Sequence, residues 1–202
     1  MRTLVIDSAT EACSLALYDG EAMIAGTCEV LGRGHAERLV PMIADLPNKG
    51  RAERIFVSLG PGSFTGVRIG LAAARALGLA WGSQVRGYET LPLVAARAHA
   101  SRLGPVSVCM SGGHGEWLVQ NFAEDGSAED NFASLAPEHA AERARHRLVA
   151  GSQAEALVSL RKAGEALPLL PDARFFAMLR GEFLTDSLAP IYGRPPDARL
   201  PA

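Results

Sequence analysis

In this chain of 202 residues, 20 Lys and Arg face 22 Asp and Glu for a formal net charge of −2, and 48% of the residues are hydrophobic. That is the balance of an ordinary globular protein with enough chain for one large domain or two small ones. It lacks the basic excess of a protein that grips nucleic acid by itself. No run approaches about 18 apolar residues, and residues 1–7 reach an acid too soon for a secretion signal, so a cytoplasmic protein without a membrane span is expected.

Residues 2–7 form a short β-rich run and residues 8–11 a polar turn. Residues 13–18 alternate polar and apolar side chains, Asp19-Gly20 supplies a hairpin signal, and residues 23–30 return as a third strand. A helix over residues 37–46 carries Leu39, Val40, Met42, Ile43 and Leu46 at helical spacing, with Pro41 kinking it or marking its first turn. Residues 54–59 read as a buried strand. A glycine-rich loop, a helix over residues 66–81 and a strand near residues 85–87 follow. Thr90 is placed to cap a helix over residues 91–101, with Pro92 in its first turn.

The order then recurs. Residues 106–110 form a strand, 111–115 a loop and 117–123 a second strand, and Asp125-Gly126 is a turn. Residues 137–145 are helical, 147–150 a strand, and Gly151-Ser152 opens a helix through residue 161. This repeat of pattern implies two similar α/β lobes with a boundary near residues 101–105. From Pro168 the tail holds one more helix, with Asp172 as cap, Phe175, Phe176, Met178 and Leu179 as its face, and Gly181 as its stop. Beyond Pro190, the prolines at 195, 196 and 201 enforce an extended end that lies against the body or frays.

Strand, glycines and then helix is an arrangement that places anions at a helix N-terminus. The loop here, GPGSFTGVRIG over residues 60–70, differs from the nucleotide motifs. It has no Lys and no glycine pair at P-loop spacing, and Thr65 stands where the dinucleotide fingerprint needs its third glycine. Two readings are open: phosphate contact through the Ser63, Thr65 and Gly66 amides, or a tight turn with Ser63 or Thr65 capping the helix.

The helix is the stronger signal. Its only charges are Arg68 and Arg75, and Gly66, Gly70, Ala74 and Gly78 recur every fourth residue. Glycine inside a helix costs about 1 kcal/mol against alanine, so the repetition implies a packing reason. A bare face lets another helix approach closely. With Val67, Ile69, Leu71, Leu77 and Leu79 on the remaining faces, the helix is expected to be central or covered by a partner. The helix over residues 37–46 is its expected neighbour.

Groups for chemistry are sparse. The histidines are His35, His99, His114, His139 and His146, and no HxxxH pair exists among them, so no metal is expected. Gly62-Ser63 does not continue as a nucleophile elbow. Asp7, at the end of the first strand, could hold a magnesium-bound phosphate, but Ser8-Ala9-Thr10 narrows the approach to the backbone; satisfying nearby amides is its other role. The loop over residues 111–115 could touch a ligand. Arg143, Arg145, His146 and Arg147 read as a solvated helix end. Cys13, Cys28 and Cys109 form no CxxC pair, and in apolar, strand-like stretches they act as small hydrophobes.

Three segments resemble the TsaB (YeaZ) family in the expected order: VIDSATEACSLALYDG at residues 5–20, GHAERLVPMI at 34–43 and GPGSFTGVRIG at 60–70. Residues 190–194, PIYGR, are similar to the family's tail motif, with Gly193 where leucine is usual. The resemblance is strong over residues 1–100 and weak over 101–180, where Met110 to Glu116 keeps only Gly115-Glu116 of the family's Asp-Ala-Arg-x-Gly-Glu run.

The resemblance implies an α/β fold of two related lobes of the actin/Hsp70/sugar-kinase-like (ribonuclease H-like) type, with mixed five-stranded sheets and flanking helices. Residues 1–101 would form the first lobe with the partner-binding helices, and residues 102–202 a smaller, more divergent second lobe with the extended tail. It also implies a non-catalytic accessory role in making N6-threonylcarbamoyladenosine at position 37 of tRNA. The expected partners are a TsaD-like catalytic subunit and a TsaE-like ATPase, with tRNA reached only through the complex and a homodimer formed when alone. The expected partner interface comprises His35, Arg38, Leu39, Met42, Ile43, Val67, Arg68, Gly70, Leu71, Ala74, Arg75 and Gly78. No intrinsic cofactor is expected; ATP or ADP would sit at the partner interface, and Asp7, Ser63, Thr65 and Gly66 are the candidate nucleotide or anion contacts. The alternative reading is an ATP-handling enzyme of the sugar-kinase type, resting on Asp7 and the glycine loop. A metalloprotease is the third, against which the missing histidine pair argues.

Overall fold

The structure is a computed structural model and describes residues 1–193. Arg194, Pro195, Pro196 and Pro201, on which part of the tail expectation falls, lie outside the described residues.

The chain opens as a meander. β1 (Arg2–Asp7), β2 (Ala12–Asp19) and β3 (Ala22–Val30) pair antiparallel in sequence, with Leu4 opposite Leu17 and Ile6 opposite Leu15. Helix α1 (His35–Ala44) begins two residues earlier than the apolar spacing predicts, because Gly34 at φ +90 turns the chain into it. β4 (Arg54–Ser58), helix α2 (Phe64–Trp81) and β5 (Gln84–Tyr88) then form a parallel crossover beside β1. Ser63 caps α2, its Oγ accepting from the Gly66 N–H at 3.2 Å, and Gly82 at φ +68 ends it. Helix α3 (Thr90–His99) follows. Thr90 does not cap it: its hydroxyl lies 2.7 Å from that of Ser58 and the cap position falls to Glu89.

The second sheet repeats the first. β6 (Val106–Gly113), β7 (Glu116–Phe122) and β8 (Ala133–Leu135) are the antiparallel meander. Helix α4 (Pro137–Arg143), β9 (Leu148–Ala150), helix α5 (Ala154–Arg161) and β10 (Glu165–Leu167) supply the parallel part. Its order is β10-β9-β6-β7-β8, which matches β5-β4-β1-β2-β3 strand for strand. β8 and β10, at three residues each, are too short to show a period and are not predicted from the sequence. The expected loop over residues 111–115 is mostly strand, because β6 runs on to Gly113 and the turn sits at His114 and Gly115, both at positive φ.

The tail departs most from expectation. The helix predicted after Asp172 is of the 3-10 type, Ala173–Met178, and Asp172 caps it as expected. Its backbone is captured by the first sheet, where Tyr18 Oη donates to the Arg174 carbonyl at 2.9 Å and Ser14 Oγ accepts from the Ala173 N–H at 2.9 Å. Asp172, fully buried, accepts from the Arg174 guanidinium at 2.6 Å. A last strand, β11 (Leu184–Thr185), pairs antiparallel with β5 and makes the first sheet six-stranded rather than five.

One apolar cluster lies under α1 and α2, around Leu4, Leu15, Leu39, Val57 and Leu71. A second joins α3 to the other sheet through Leu91, Val94, Val108 and Phe122. A third, with Tyr18, Tyr88, Leu93 and Phe176, seats the tail between them.

Candidate functional site

The loops at the C-terminal ends of β1 and β4 and the β6–β7 hairpin face each other across a cleft of about 1200 Å³. One wall carries Thr10, Glu11, Arg33, His35, Glu37, Ser63, Thr65 and Arg68, and the other Ser111, His114 and Ser152. Tyr192 and Gly193 lie along its rim. Arg33 and Glu11 were not singled out by sequence, because a loop residue carries no periodicity to mark the cavity it faces.

Of the four candidate anion contacts, Ser63, Thr65 and Gly66 reach this cleft and Asp7 does not. Asp7 is fully buried, accepting from the Ala9 N–H at 3.0 Å and from the Tyr88 hydroxyl at 3.0 Å. The magnesium-phosphate role for Asp7 is therefore corrected: the carboxylate satisfies nearby donors inside the protein. Burial pushes its carboxyl up to about 6, against the opposing pull of those two hydrogen bonds. The glycine loop is likewise committed. The Ser63 N–H donates to the Ala9 carbonyl at 2.6 Å, and the Gly66 N–H is held by the Ser63 cap. The capping turn is formed, with Ser63 as the cap.

The small-residue stripe of α2 also needs correction. A Cβ at Gly70 would stand 2.5 Å from Ser8 Oγ, one at Gly66 2.1 Å from the Ser8 carbonyl oxygen, and one at Gly78 2.4 Å from Val85 Cγ2. The stripe lets α2 lie directly on the protein's own sheet, not on another helix. Val67, Gly70, Leu71, Ala74 and Gly78 on α2, and His35, Leu39, Met42 and Ile43 on α1, are buried within the chain. His35 Nε2 meets the Ala12 carbonyl at 3.3 Å. These nine residues, two of them glycines, are covered within the chain and not exposed on its surface.

What the pair of helices shows to solvent is their opposite face. Arg38, half-buried, makes a two-point pair with Glu29 at 2.8 and 2.5 Å, which holds the Glu29 carboxyl below its ordinary range. Arg68 and Arg75 are exposed on α2. Among them lie apolar side chains: Val40 is 58% exposed and Leu79 89%, with Ala36, Pro41, Ala44, Ala72, Ala76 and Ala80 also exposed. A face of this composition on two adjacent helices is the kind that a protein partner covers.

Two lobes of identical strand order about a cleft make this a duplicated α/β protein. The chain belongs to the TsaD family, described as tRNA N6-adenosine threonylcarbamoyltransferase, whose model matches residues 28–171. Several of its curated relatives are TsaB proteins. It is 40% identical over 100 residues to the tRNA threonylcarbamoyladenosine biosynthesis protein TsaB of Escherichia coli (strain K12), a stretch that covers 47% of this chain and 43% of that protein. It is 35% identical over 101 residues to TsaB of Bacillus subtilis (strain 168), covering 45% and 43%. The matched stretch is thus less than half the length of either relative. The structure is also similar to YeaZ from Pseudomonas aeruginosa, with a TM-score of 0.80 at 27% identity, covering 95% of this chain and 99% of that one.

Proposed function

We propose that this protein is a non-catalytic, accessory subunit of the machinery that makes N6-threonylcarbamoyladenosine at position 37 of tRNA. It acts by presenting the outer face of α1 and α2 to a TsaD-like catalytic subunit. A TsaE-like ATPase completes the assembly, tRNA is reached through the complex, and ATP or ADP belongs to the partner interface. Without its partner the chain pairs with a second copy through the same face.

The observation that carries this reading is the exposure of the apolar side chains Val40 and Leu79 on two helices that lie within residues 28–171, the stretch matched by the family model. The buried position of Asp7 supports a non-catalytic role, since the acid that ends β1 is sealed beneath Tyr88 rather than presented to the cleft. Co-purification of the tagged chain with a TsaD-like protein tests the reading. Wild type should retain the partner and Leu79→Arg should lose it; retention by Leu79→Arg and Val40→Glu alike would show that the face is wrongly assigned.

A further inference from the structure

Between residues 183 and 193 the chain crosses from one lobe to the other and back. Phe183 is buried in the second-lobe cluster, its ring 6.1 Å from that of Phe122. The next residues leave for the first lobe, where β11 pairs with β5 and Leu188 and Ile191 pack on the cluster under α2. The Ile191 N–H donates to the Leu59 carbonyl at 2.7 Å. The backbone then returns to β7, so close that a Cβ at Gly193 would stand 2.8 Å from Leu118 Cδ2.

Helix α2 grips this crossing from outside. Arg75 Nη2 donates to the Leu188 carbonyl at 3.1 Å. Two turns earlier, the Arg68 guanidinium lies 3.3 Å from the centre of the Phe64 ring and 5.3 Å from that of Tyr192, and the two rings stack at 5.5 Å. Guanidinium and aromatic faces attract, and the stack fixes Tyr192 on the cleft rim. Arg68, Arg75 and Phe64 are all exposed.

The lobes also meet on their other side, through α3, whose Leu93 packs in the first-sheet cluster with Tyr88 and Phe176 and whose Leu91 and Val94 pack in the second-sheet core with Val108 and Phe122. The two connections therefore differ in kind. Opening the core would expose a large apolar surface, whereas the crossing at residues 184–193 is seated by a two-residue strand pairing, the Ile191–Leu59 hydrogen bond and two half-buried side chains, and is gripped on its outer side by exposed residues.

We propose that residues 184–193 are an interlobe clasp, held shut by the Phe64–Arg68–Tyr192 stack and by Arg75, that sets the width of the cleft. The proposal follows from contacts within the chain and is independent of the assignment to tRNA modification.

Spin labels on Ala36→Cys and His114→Cys, which line the cleft from opposite lobes, report that width by double electron–electron resonance. The labelled chain carries Cys28→Ser, and Cys13 and Cys109 stay buried. The double variant Arg68→Ala/Arg75→Ala, and separately Tyr192→Ala, are expected to broaden the distance distribution and lengthen its mean by more than about 2 Å, with unchanged circular dichroism. Leu79→Ala, on the same helix but away from the clasp, should reproduce the parent. An unchanged distribution in both clasp variants overturns the proposal, as does equal widening in Leu79→Ala.

Discussion

The Tyr88 hydroxyl donates to the Asp7 carboxylate at 3.0 Å across the first sheet, linking the end of β1 to the end of β5 in a site that water does not reach. The same hydroxyl lies 3.0 Å from the Ile6 carbonyl, and burial pushes the phenol well above its ordinary range. Asp7 in turn is raised from 3.8 to about 6. A carboxyl whose pKa is raised on folding stabilises the fold fully below its unfolded value and loses that contribution as pH rises through the folded one. The stability of wild type relative to Asp7→Asn should therefore fall between about pH 4 and pH 6. The fall should be on the order of 2–3 kcal/mol, at 1.36 kcal/mol per pKa unit. Urea unfolding of both proteins at pH 4, 5, 6 and 7 measures it; parallel curves would show that Asp7 does not titrate in this window.

Substitutions on the two faces of α2 should separate folding from association. Gly66→Ala brings a Cβ within 2.1 Å of the Ser8 carbonyl oxygen, a backbone atom that moves only with its loop. The overlap should outweigh the helix propensity gained and cost about 1–3 kcal/mol net. Gly78→Arg and Ala74→Arg should not yield folded protein, because both positions are buried against the sheet. Leu79→Arg should melt within about 0.5 kcal/mol of wild type and weaken partner binding by about tenfold or more. Thermal melts beside co-purification distinguish the two classes.

Asp172 is the anchor of the returning tail. Fully buried, it is bonded by Arg174 at 2.6 Å and approached by Arg97 at 3.9 Å, and it caps the turn through the Arg174 N–H at 3.0 Å. Removing a buried partner leaves the others uncompensated. Asp172→Ala should cost about 2–4 kcal/mol and raise amide exchange across Ala173–Met178 first. Exchange spread evenly over the molecule would contradict an anchoring role.

The thiols should differ in reactivity. Burial pushes Cys13 and Cys109 up to about 12, whereas Cys28 is half-buried and less strongly raised. Since the thiolate is the nucleophile, a thiol reagent at neutral pH should modify at most Cys28 in the native protein and all three in denaturant. Mass spectrometry counts the adducts.

Local chemistry made much of the fold legible. Asp19-Gly20 marks the first hairpin, and the alternation over residues 13–18 marks β2. The doubled order of elements was readable because each lobe repeats the same turn and helix signals. β8, β10 and β11 were not, since two or three residues carry no period, and β11 exists only because β5 offers it an open edge. The type of helix in the tail was not legible for a related reason: an Asp cap and apolar residues describe a helix start equally well whether it becomes an α-helix or a 3-10 turn, and Tyr18 and Ser14 on β2 made it the shorter one.

By itself the sequence determined that α2 has a face of small residues, that Ser63 can cap it and that Asp7 ends a strand. Periodicity states which residues share a face and never what covers it. Only the tertiary structure could decide that Gly66, Gly70 and Gly78 are small to admit Ser8 and Val85, leaving Leu79 outside. It likewise decided that Asp7 lies beneath Tyr88, 81 residues further along the chain, rather than at the cleft. Those outcomes depend on contacts between residues distant in sequence, which local chemistry permits but does not choose.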